Sequence, residues 1–203
     1  MKTIFLYAII AFITAGCSAL RPSVHEYTIL PSYTPHATTT LPINTTLKVL
    51  STRSITSLAS TQLYYLKDAS HIDAYLYSKW SDSPSSMIDR SLTSSLQNRQ
   101  LFATLIPATS NATADVLLES DLSAFYHRFN DDSKSEGLID VTYRLIDSKT
   151  KKMIASKRFV ILEPALSADA KGGVDALTKA VQYLSENTTD WLEAVGKENL
   201  WIK

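Results

Sequence analysis

The sequence is poor in the residues that most often carry chemistry. Its one cysteine, Cys17, leaves no disulfide within the chain to staple the fold. Five glycines are scattered, and no GxGxxG, P-loop or GxSxG pattern occurs, so no phosphate-cradling loop or nucleophile elbow is written here. The four histidines, His25, His36, His71 and His127, show no paired spacing such as HExxH. A zinc site needs ligands converging from several elements, so neither a metal nor a cofactor is expected. Twenty Lys and Arg balance twenty Asp and Glu, and without a basic surface no nucleic-acid partner is expected. No apolar run is long enough to cross a bilayer as a helix.

What is present begins at the N-terminus. Lys2 supplies a positive start, and residues 4–13 (IFLYAIIAFI) form an apolar run of signal-peptide length. Thr14-Ala15-Gly16-Cys17 follows directly. Small residues before a lone cysteine form the bacterial lipobox, in which the thiol is acylated and the chain is cut before Cys17. The expected organisation is a lipoprotein signal peptide over 1–16, a lipidated tether over 17–25, and a single domain over 26–203. Ser18 stands where an Asp favours inner-membrane retention, so the outer membrane is the expected destination, with the chain facing the periplasm. An apolar content of 45% against 20% charged residues is that of a globular domain, and the length suits one core.

Within the domain, alternation predicts strands over 26–30, 46–52, 62–66, 72–80 and 102–106. Longer strands are expected over 115–129, 138–146 and 153–162, running as an antiparallel meander through polar turns at 130–134 and 147–150. Residues 54–60 read as irregular, and 31–42, rich in Pro and Thr, as a loop. Ser83 as N-cap and Pro84 at the first helical position start a helix that places Met87, Ile88, Leu92 and Leu96 on one face. A second helix carries a stripe from Val174 through Leu177, Val181 and Leu184 to Val195. These elements predict an α+β fold: a mixed, largely antiparallel sheet with the 84–98 and 174–195 helices packed on one face.

Strict alternation from Asp115 places Glu119, Asp121, Ser123 and His127 on one strand face. His127 with Asp121 and Ser123 has the composition of a hydrolytic trio, but a solvent-facing polar surface is the expected state, and no catalytic residue is assigned. The aromatics of 64–80 carry the other signal. Tyr75 and Tyr77 share one side of their strand, and Trp80 ends it. Half of this cluster is expected beneath the following helix and half outward as a contact surface, since Tyr and Trp are enriched at interfaces. Tyr75, Tyr77 and Trp80 are the residues assigned to partner binding.

A lipobox, a short first strand carrying Tyr27-Thr28-Ile29-Leu30, a Tyr-rich extended segment ending in Trp, and a P-x-x-M-I-x-x-x-L-x-x-x-L helix together resemble the ABC-type transport auxiliary lipoproteins of PqiC type. Ala114-Asp115-Val116-Leu117-Leu118, Leu145-Ile146-Asp147 and Met153-Ile154-Ala155 extend the resemblance over most of the mature chain. It implies an envelope lipoprotein, without catalytic residues, working beside an MCE-type periplasmic protein or the ABC permease complex of a phospholipid transport system. A binding module of another envelope assembly, such as an outer-membrane assembly plug or a synthase activator, is the alternative reading.

Overall fold

The computed structural model describes residues 22–31, 42–68, 70–130 and 134–198. Cys17, the signal segment and most of the Pro/Thr-rich loop lie outside these residues.

One long strand, β7 (Val116–Phe129), orders the sheet. Along one edge it takes three shorter strands in succession, all parallel to it: β2 (Ile43–Val49), β3 (Arg53–Ser54) and β4 (Gln62–Leu66). Its other edge pairs antiparallel along its whole length with β8 (Ser135–Asp147), which pairs in turn with β9 (Met153–Pro164). Beyond β2 lies β6 (Phe102–Ile106); beyond β4 lie β5 (Ile72–Trp80) and then β1 (His25–Tyr27). The long ladders are thus the antiparallel meander, and the parallel pairings are short.

Helix α1 (Pro84–Asn98) starts where its caps dictate: Ser86 N–H donates to the Ser83 hydroxyl, and Pro84 gives up a donor that had no intrahelical acceptor. It buries Met87, Ile88, Leu92 and Leu96. Helix α2 (Ala170–Glu198) begins four residues earlier than the apolar stripe predicts. Its buried Gly172, Gly173, Ala176 and Ala180 let it approach the sheet closely: a Cβ on Gly137 of β8 would stand 2.8 Å from the Leu177 nitrogen. The two helices meet through hydroxyls, Ser91 with Ser185 and Ser95 with Thr189, each pair at 3.0 Å. This polar seam is anticipated by no apolar pattern, although both pairs sit at the same four-residue spacing in each helix.

Several element boundaries move. The first strand is His25–Tyr27 rather than 26–30. The second ends at Val49, because the Thr52 N–H leaves the ladder and donates to Asp89 at 3.0 Å. Residues Thr56–Ala59 form a turn of 3-10 helix that buries Leu58. Two irregularities matter more. Ser123 is an extra residue in β7, since Leu122 faces Val141 while Ala124 faces the adjacent Asp140. In β5, Lys79 pairs with Gln62 but Ala74 pairs with Tyr64, so β5 carries three more residues than β4 over the same length. An odd insertion inverts which side chains face the core from there on.

Candidate functional site

Both irregularities converge on one corner of the molecule. Before Ser123, β7 alternates as expected, with Val116, Leu118 and Leu122 buried. After it the period shifts by one, and Phe125 and His127 turn toward the helices. The expectation of a solvent-facing His127 is therefore corrected: the side chain is fully buried. The Asp121–Ser123–His127 grouping is dispersed by the same bulge. Asp121 remains on the outer face, where Arg53 Nε donates to it at 2.8 Å and Arg144 also binds it. These bonds hold its carboxyl down to about 2. Ser123 is the exposed bulge residue itself.

His127 lies under the first turn of α2. A Cβ on Gly173 would stand 2.5 Å from its Cγ and Nδ1, so that turn needs a glycine. Its Nδ1 is 2.7 Å from the Tyr75 hydroxyl, while its Nε2 is buried with no hydrogen-bond partner among the described residues. Burial pushes the imidazole below its ordinary value, and Asp169 opposes that shift. Asp169 caps α2: the Gly172 N–H and the Ser167 hydroxyl donate to it at 2.8 Å each, holding its carboxyl below the usual range. Burial raises the Tyr75 hydroxyl. The pair ties β5 to β7 beneath the first turn of α2.

Around this pair the rings pack on one another. Tyr65 lies 4.8 Å from Tyr75 and 5.9 Å, edge-on, from Phe129, whose ring is 4.6 Å from His127. Tyr65, Tyr75, Tyr77 and Phe129, with Lys67 and Ala168, line a groove of ≈ 570 Å³. A second groove of ≈ 520 Å³ runs along α1 past Asp89, Arg90 and Gln97. Burial raises Asp89 against the hydrogen bonds from Thr52. Among the described residues no cluster of His, Cys, Asp and Glu is arranged to hold a metal, and no helix is long and apolar enough to cross a membrane.

The three aromatics assigned to partner binding fall in three different places. Trp80 is 1% exposed and packs edge-on against Phe125 at 5.7 Å. It belongs to the core, and its assignment as a contact residue is corrected: the extra residues of β5 turn it inward. Tyr75 is half-buried and tied to His127. Tyr77, 51% exposed, stands free at the groove mouth. Tyr75 and Tyr77 therefore differ in environment despite their spacing. Two local signals pointed toward His127: the unbroken ring-bearing run Phe125-Tyr126-His127 and the Gly172-Gly173 pair at a helix start.

A family model described as the ABC-type transport auxiliary lipoprotein component matches residues 27–187. Among solved structures, a protein from Xanthomonas campestris superposes with a TM-score of 0.77 at 17% identity, covering 86% of this chain and 98% of that one. A hypothetical protein from Chlamydia trachomatis superposes with a TM-score of 0.54 at 9% identity, covering 75% and 98%. At these identities the likeness is one of fold. No curated protein matches the sequence.

Proposed function

The chain belongs to the family of ABC-type transport auxiliary lipoprotein components, and on that premise we propose that it is a non-catalytic partner of an MCE-type lipid transport system. In this reading Cys17 carries the acyl chains, residues 17–25 are the tether, and the domain hangs from the outer membrane into the periplasm. It works by binding the periplasmic MCE protein or the permease complex. The observation that carries the binding role is the aromatic groove, with Tyr77 exposed at its mouth and the walls already braced by the Tyr75–His127 pair. A preformed wall loses little freedom on binding, and interface energy concentrates in a few such aromatic anchors.

The test is capture from detergent-solubilised envelopes by the lipidated chain, with the MCE protein, permease and ATPase identified by mass spectrometry. Tyr77→Ala should weaken capture by roughly thirtyfold, the equivalent of about 2 kcal/mol at an anchor residue, with no change in melting temperature. Full capture by Tyr77→Ala removes the groove from the interface; absence of all three transport components overturns the partnership. Cys17→Ala should abolish labelling by a fatty-acid analogue, and labelling that persists would refute the anchor.

A further inference from the structure

The corner that holds the groove is also where the chain enters the domain. β1 runs parallel to β5, with His25 beside Ser78 and Tyr27 beside Trp80, so the chain reaches His25 from the Ile72 side. Cys17 precedes His25 by eight residues, and at ~3.4 Å per residue it lies no farther than about 27 Å from it. The level of Ile72 lies closer still. Lys79 and Ile72 pair with the two ends of β4, Gln62 and Leu66, which are about 13 Å apart at strand spacing. A chain anchored at Cys17 therefore keeps this corner within about that reach of the membrane.

The same corner exposes large apolar side chains. Leu166 at 88% and Leu76 at 82% are the two most exposed large apolar side chains among the described residues. Leu76 lies on β5 between Ile72 and Ser78, the part of that edge which β1 leaves open. Leu166 is in the connector from β9 to α2, held at this end because Ala165 N–H donates to Ser135, the first residue of β8. Ala168, two residues on, lines the groove with Leu76. Ile72 at 47% and Val24 at 52% extend the patch. At the hairpin tip Lys67 stands against Asp68 and Asp73, so the tip presents no excess of positive charge, and Asp68 is already engaged by Ser70 and His71.

We infer that this corner beds into the bilayer interface, with Leu76 and Leu166 inserted among the headgroups and Ile72 and Val24 beside them. The inference rests on the lipid-anchor reading of Cys17. Its driving force is apolar burial rather than attraction to anionic lipid, since the tip carries no excess of positive charge. Bedding at this corner fixes the face of the groove relative to the membrane, so a partner meets the domain at the bilayer surface.

The experiment uses the full lipidated chain in phosphatidylcholine vesicles. Acylation consumes the Cys17 thiol, so Leu76→Cys and Leu166→Cys each add a single reactive thiol for an environment-sensitive fluorophore. Both side chains are exposed, so neither change disturbs the core. Lys149→Cys, in the exposed turn at the opposite end of β8, is the control. Probes at 76 and 166 should shift to the blue and be quenched by brominated lipid, without dependence on salt or added anionic lipid. The probe at 149 should do neither. A chain that floats with vesicles while positions 76 and 166 stay as unquenched as 149 overturns the bedding and leaves the anchor intact. Shielding that needs high protein density and shows no bromine quenching also overturns it, as contact between copies. A chain that fails to float overturns the anchor and the bedding with it.

Discussion

The two halves of β7, before and after Ser123, obey different rules. In the first half one face is core and the other is an open field of ion pairs: Arg53 with Asp121 and Glu119, and Arg144 with Asp121. In the second half Phe125, Tyr126 and His127 are buried in succession. Phe125 and His127 lie under the helices, while Tyr126, on the other face, is covered by the 3-10 turn and bonds Ser57. The first half is an ordinary half-buried strand. The second is enclosed on both faces, contains an imidazole nitrogen without a hydrogen-bond partner among the described residues, and borders the groove. Specialisation sits where the strand has been put out of step, as bulges beside functional surfaces usually place it.

The sharpest way to break this contrast is at Trp80, which joins the second half through Phe125. Trp80→Ala should cost about 3–5 kcal/mol in chemical denaturation, the range for deleting a fully buried large aromatic. Tyr77→Ala, three residues earlier, should stay within about 0.5 kcal/mol. Equal losses at the two positions would mean that Tyr77 is core and not groove mouth.

Next in size is the close approach of α2. In Gly173→Ala the new methyl stands 2.5 Å from the His127 ring, a rigid neighbour, and overpacking of this kind costs about 1–3 kcal/mol. Combining it with His127→Ala should recover much of that loss, because the two sites share one contact. Gly196→Ala meets the Ile43 Cδ1, the end of a flexible side chain, and should cost less. Additive losses at Gly173 and His127 would show that the helix is positioned by something other than that contact.

How far the sequence revealed this molecule follows the same division. The α1 face, the stripe of α2, the meander and the α+β class rest on uninterrupted periods, and a period is visible in a string of letters. Element ends moved because Asp89, distant in sequence, captures the Thr52 N–H, and α2 was begun late because its first turn is built from small residues outside the apolar stripe. The environments of His127 and Trp80 depended on insertions of one and three residues in the pairing. Those are visible only against the partner strand, so Ser123 carries no mark of being extra. Cys17 and the acylation reading lie outside the described residues and rest on the lipobox alone.

The two halves should also separate by pH, each losing stability as pH falls but in a different window. Burial lowers His127 in the folded chain, so the unfolded chain binds the proton more readily. Stability from this half is complete above the ordinary histidine value of about 6.5 and is lost as pH falls from there toward the lower folded value. Asp121 is lowered to about 2, so its contribution persists through that window and disappears only as pH falls from about 4 toward 2. Denaturation midpoints between pH 7.5 and 5 should therefore decline in the wild type and decline less in His127→Gln. An unchanged slope in that variant would place the titration elsewhere.

The smallest expected effect is at Arg53, and its smallness is what makes it informative. The guanidinium touches both Glu119 and Asp121, but its side chain is 61% exposed, and exposed ion pairs contribute little to stability. Arg144 remains on Asp121 when Arg53 is removed, so that carboxylate is not left alone. Arg53→Ala should therefore shift the denaturation midpoint least of these variants, with the loss shrinking further in high salt as the remaining field is screened. The short β3 that carries Arg53 contributes only the Arg53 and Ser54 pairings to β7, so little else is at stake in the substitution. A loss near that of Gly173→Ala would mean that the ion pairs pin the first half of β7 as firmly as the helix pins the second. The contrast between an open and an enclosed half would then fail on energetic grounds, even with the burial pattern unchanged.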